Sequence, residues 1–66
     1  MRLKINGEYR DGIRAETLRG LLDELGVIPG RVAVEVNNSV IRKDEHEKFR
    51  LRDGDTVEIV NFVGGG

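Results

Sequence analysis

Near the start of the chain, Leu3 and Ile5 alternate with the polar Arg2, Lys4 and Asn6, the period of two that marks a strand with one buried face. Asn6-Gly7 follows at once. A type I′ hairpin turn needs positive φ at both central positions, which this pair tolerates, so the chain is predicted to return antiparallel from Glu8 to Ile13. The period then changes. Leu18, Leu21, Leu22 and Leu25 recur at helical spacing and form an apolar stripe on one face. Thr17 is placed to cap the first turn, Gly26 to end the helix in the left-handed conformation, and Pro29 to stop it resuming. Gly20 runs against this pattern, because glycine costs a helix about 1 kcal/mol relative to alanine; only close packing there would account for it.

Beyond Arg31 the period returns to two: Val32, Val34 and Val36 share one face, and Ala33 and Glu35 share the other. Asn37-Asn38-Ser39 is predicted to turn this strand into a short partner over Val40, Ile41 and Arg42. The polar stretch from Lys43 to Lys48 reads as a loop or a single helical turn before Phe49 and Leu51. Asp53-Gly54-Asp55 makes a further tight turn, and a last strand runs from Thr56 to about Phe62. The order is strand, strand, helix, two strands and a final strand, with one amphipathic helix to cover one face of one sheet. That is an α+β, β-grasp (ubiquitin-like) arrangement, with a mixed sheet of four to five strands over residues 1–63 and a glycine tail at 64–66. By analogy with that fold, the last strand lies centrally and parallel to the first.

Length and composition narrow the chemistry. At 66 residues the chain makes one domain, and its core supplies only roughly 3 to 5 kcal/mol of net stability. It contains no cysteine, so disulfides and thiolate metal sites are excluded, and the single histidine, His46, is too little for a structural zinc site. Eleven basic and twelve acidic residues interleave to a net charge of −1, without the basic stripe that nucleic-acid binding requires. No apolar run approaches the roughly 20 residues of a membrane span, and the lack of cysteine fits a reducing cytosol.

Candidate chemistry concentrates at Gly64-Gly65-Gly66. Three glycines make an extended, side-chain-free segment with a reach of roughly 10 Å, able to thread a narrow channel and deliver only a carboxylate. On composition alone the same residues are also compatible with padding or the start of a linker. Considered together, the chain resembles the small sulfur carriers of the ThiS and MoaD type, relatives of ubiquitin. The resemblance rests on the Asn6-Gly7 hairpin, Thr17-Leu18 with Leu21-Leu22 and Leu25, the strand from Val32 to Asn37, the run from Asp53 to Ile59, and the terminal Gly65-Gly66. It spans essentially the whole chain, and the thiamine-pathway branch is the closer in length. Gly64 departs from the pattern, since a larger residue is common there.

The resemblance implies a two-step activation. An E1-like adenylyltransferase of the ThiF type uses ATP and magnesium to convert the Gly66 carboxylate to an acyl-adenylate, and sulfur displaces AMP to leave a thiocarboxylate. The acceptor would be a thiazole synthase of the ThiG type. The protein would then be a cytoplasmic co-substrate that binds no cofactor of its own, is no catalyst, and is monomeric when free. Gly64 and Gly65 would thread into the partners' active sites. A MoaD-like carrier for molybdopterin, a ubiquitin-like modifier of lysines and a passive interaction module stand as alternatives.

On the last strand, Val57 and Ile59 have core parity, whereas Glu58, Val60 and Phe62 point the other way. One helix cannot cover both faces, so Val60, Phe62 and Val63 are predicted to form an exposed docking patch beside the tail. The alternative is a central strand that is simply apolar on both sides. Lys43 to Lys48 sets His46 among carboxylates, and Asp53 and Asp55 flank a glycine. Both segments read as solvated turns rather than as acid-base or cation sites. Tyr9 is expected at the rim of the sheet.

Overall fold

Two asparagine turns set the hairpins. Asn6 and Gly7 adopt φ of 49° and 84° between β1 (Leu3–Ile5) and β2 (Glu8–Arg10), with Ile5 opposite Glu8. Asn37 and Asn38 adopt 51° and 72° between β3 (Val32–Val36) and β4 (Ser39–Ile41). This computed structural model describes residues 1–62. Both return strands differ slightly from expectation. The regular pairing of β2 stops at Arg10 because Asp11-Gly12, with Gly12 at φ 76°, inserts one extra residue, after which Ile13 rejoins the hairpin: its amide donates to the Met1 carbonyl at 2.9 Å, its carbonyl accepts from the Met1 ammonium at 2.6 Å, and its side chain reaches the core. β4 starts at Ser39 because the turn uses two residues and leaves Ser39 paired with Val36.

The helix α1 (Leu18–Glu24) begins as its sequence dictates: the Thr17 hydroxyl accepts from the Gly20 amide at 3.1 Å, and Gly26 leaves the helix at φ 73°. The same cap explains Gly20. A Cβ there would stand 3.2 Å from Thr17 Oγ1 and 3.3 Å from the Ala15 Cβ, so close packing is indeed what the glycine permits. Before the helix, the Glu24 carboxylate accepts from the amides of Arg14 and Ala15, tying the incoming loop to the last turn.

The final strand, β5 (Thr56–Asn61), enters between the two hairpins and gives the strand order β2-β1-β5-β3-β4. It runs parallel to β1, with Ile5 against Val57, and antiparallel to β3, with Val34 against Ile59. The helix lies over one face. There Leu18, Leu21 and Leu22 meet Leu3, Val34 and Val57, all essentially inaccessible to solvent, while Leu25 and Ile59 close the margin. Among the described residues no helix is long and apolar enough to cross a membrane.

One expectation fails. Lys43 to Lys48 does turn, with a 3-10 segment at Lys43–Glu45, but His46 is buried at 2% exposure rather than solvated. Its Nε2 lies 3.1 Å from the Ile41 carbonyl, which makes it the donor, and Nδ1 is buried without a partner. The segment is drawn inward because the His46 carbonyl accepts from the Arg19 amide and the Phe49 carbonyl from the Leu18 amide, stitching it to the start of α1. Those long-range bonds have no signature in a local polar run.

Candidate functional site: the open face and exit of the central strand

Pleating sends alternate residues of β5 to opposite sides of the sheet. Val57 and Ile59 face the helix, and Glu58, Val60 and Phe62 face away. Val60 is 60% exposed and Phe62 58%. Both side chains are therefore open on the face away from the helix. Val60 stands opposite Ala33, and Glu58 opposite Glu35. Val40 on β4, opposite Glu35 and 69% exposed, extends the same face. A shallow groove of about 220 Å³ joins Val40, Ala33 and Phe62. Val40 was not singled out from sequence, although the outward parity of the Ser39-Val40-Ile41 strand could have indicated it.

Phe62 lies just beyond β5 yet is still held: its amide donates to the Arg31 carbonyl at 2.8 Å, extending the ladder to β3 by one rung. On the other edge the support changes character. β1 pairs with β5 only through Lys4 and Ile5, and the Asn6 amide then donates to the Val57 carbonyl at 2.9 Å. The next contact is made by a side chain. Asn6 Oδ1 accepts from the Ile59 amide at 2.7 Å, and Asn6 Nδ2 donates to the Ile59 carbonyl at 3.2 Å. Sequence reading assigned Asn6 to the turn alone. Val63, Gly64, Gly65 and Gly66 lie outside the described residues.

The acidic turn is accounted for by its own backbone. Asp53 Oδ1 accepts from the Arg2 amide at 2.7 Å, and Asp55 accepts from the Arg52 amide and the Asn37 side chain at 2.8 and 3.0 Å, with Gly54 at φ 90°. Among the described residues no group of three potential metal-ligating side chains converges. Tyr9 sits at the rim as expected, its ring 4.4 Å from the Arg2 guanidinium carbon.

A five-stranded mixed sheet with one helix on one face, and a bare face beside the exit of its central strand, defines a ubiquitin-like β-grasp protein. The ThiS family model matches residues 3–66. The chain is 40% identical over 62 residues to the sulfur carrier protein ThiS of Thermus thermophilus, covering 94% of this chain and 95% of that one. It superimposes on the crystal structure of the thiamine biosynthesis protein ThiS from Geobacter metallireducens with a TM-score of 0.83 at 35% identity, each chain covered in full. A thiazole synthase of Paramagnetospirillum magneticum is 46% identical across all 66 residues, but this chain spans only 20% of its length. The chain belongs to the ThiS family.

Proposed function

We propose that this protein is a sulfur carrier for thiazole formation in thiamine biosynthesis, with the carboxylate of Gly66 as the working group. The observation that carries this reading is the family match, which extends through the triglycine to Gly66, immediately beyond the exposed end of the central strand. A free carboxylate is a poor electrophile. An E1-like adenylyltransferase of the ThiF type gives it a leaving group: the Gly66 carboxylate oxygen attacks the α-phosphorus of magnesium-bound ATP, pyrophosphate departs, and an acyl-adenylate remains. A sulfur nucleophile then adds to the acyl carbon and expels AMP. With a persulfide as that nucleophile the product is an acyl disulfide, whose S–S bond a thiol reductant then cleaves, releasing the donor as its thiol and leaving a thiocarboxylate whose sulfur is transferred to the acceptor.

With no cysteine in the chain, sulfur cannot ride on a side-chain thiol, which favours the terminus and makes the protein a co-substrate rather than a catalyst. Val60 and Phe62, together with Val63, serve as the docking patch, while Gly64 and Gly65 thread the partner's channel. Similarity to segments of two proteins named thiazole synthase supports a ThiG-type acceptor, since a unit that hands sulfur to the thiazole-forming enzyme is suited to being joined to it.

Intact-mass measurement of the protein isolated from its own cell tests the reading. The expected product has one oxygen replaced by sulfur at Gly66, whereas branched conjugates would identify a lysine modifier instead. A deletion strain should grow when given the thiazole precursor; no rescue by that precursor would defeat the thiamine assignment.

A further inference from the structure

β5 carries the chain to its exit, yet its two edges are supported unequally. On the β3 side, hydrogen bonding continues as far as Phe62 and Arg31. On the β1 side, backbone pairing ends at Val57, because β1 turns away at Asn6-Gly7. In an antiparallel ladder only alternate residues point their amide and carbonyl at a given neighbour. The Phe62 to Arg31 bond puts Val60 and Phe62 on the β3 side of that alternation, so Ile59 presents its amide and carbonyl to the space β1 has vacated. The Asn6 side chain fills that space, with one oxygen on the amide and one NH2 on the carbonyl.

Only an amide side chain offers both a donor and an acceptor in this fork, and asparagine also tolerates the positive φ of the turn. The second hairpin repeats the device at the other end of β5. Asn37, also at positive φ, accepts from the Thr56 amide at 3.0 Å through Oδ1. β5 is thus clasped near its start by one turn and near its exit by the other.

We propose that Asn6 is a positioning residue for the sulfur-transfer reaction: by standing in for the missing next residue of β1, its side chain holds the β1-side edge of β5 and fixes the direction in which β5 leaves the sheet. This rests on the sulfur-carrier reading, because direction matters only if a group beyond the exit must meet a partner's active site. Val60 and Phe62 keep their bonds to β3 when the clasp is lost, so docking persists and delivery suffers.

The test compares Asn6→Gly, which keeps the turn and deletes the fork, with Asn6→Asp, which keeps the acceptor for the Ile59 amide. Amide hydrogen exchange and pyrophosphate release by a ThiF-type enzyme are measured on each. In N6G, exchange at Ile59 should accelerate about tenfold or more while Val34 and Val57 change far less. Its kcat for activation should fall roughly three- to tenfold with KM nearly unchanged. In N6D the Ile59 amide should regain most of its protection.

Unchanged exchange at Ile59, equal acceleration at all core amides, failure of N6D to restore protection, or unchanged kcat despite local opening would each overturn the proposal. If the wild-type protein itself is not adenylated, the sulfur-carrier reading fails and the positioning role fails with it. The exchange arm still reports whether the clasp itself exists.

Discussion

Replacing Phe62 with glutamate separates docking from folding. A phenylalanine side chain presents on the order of 200 Å². With 58% of Phe62 accessible, on the order of 115 Å² is left for a partner to cover. At about 25 cal/mol per Å², full burial at an interface is worth up to about 3 kcal/mol, a factor of about 100 in binding. Glutamate removes that term and adds a charge that must be desolvated. Folding should scarcely notice, because the Phe62 contact with β3 that matters is its backbone bond to Arg31, which survives the substitution. We therefore expect F62E to lower kcat/KM for ATP-dependent pyrophosphate release about 100-fold, chiefly through KM, with a Tm within a few degrees of wild type. Tyr9→Glu provides the control: Tyr9 is equally exposed at 63%, but on the far edge strand, and its replacement should leave activation unchanged. Activation by F62E within twofold of wild type would refute the docking role of this face. A loss matched by Tyr9→Glu would show that any added charge suffices.

Three further outcomes concern stability. Thr17→Ala removes the hydroxyl that accepts from the Gly20 amide and should cost about 1 kcal/mol, read as a fall in Tm of roughly 4 to 8 °C. Glu58→Gln relieves a like-charge pair set directly opposite Glu35 on the open face, and should raise stability by roughly 0.2 to 1 kcal/mol in urea titrations at low salt, the gain shrinking as salt is added. Val57→Ala empties part of the fully buried centre between β5 and the helix and should cost about 2 kcal/mol, roughly half the net stability of so small a domain, read by circular dichroism as a fall in Tm of roughly 8 to 16 °C.

Local chemistry made much of this fold legible. The Asn6-Gly7 and Asn37-Asn38 turns follow from positive φ, the helix from a four-leucine stripe between Thr17 and Gly26, and the buried face of β3 from alternating valines. Outward parity at Val60 and Phe62 was likewise readable, because pleating depends only on neighbours in the chain. The parallel seat of β5 beside β1 was reached by analogy with a known arrangement, since no local pattern says which distant strand will be a neighbour.

What escaped depends on pairs far apart in sequence. In sequence His46 is one polar residue among many, and its burial follows only from bonds to Arg19 and Ile41. Gly20 had no reason in its own helix, only in the approach of Ala15 and the Thr17 cap. Asn6 reads in sequence as a turn residue and nothing more. By itself the sequence determined the elements, their order and their faces, because each is decided within a few residues by backbone sterics and hydrophobic period. Only the tertiary structure decided that β1 stops short beside β5 and that an asparagine side chain completes the ladder, because a hydrogen bond spanning 53 positions exists only once the sheet has closed.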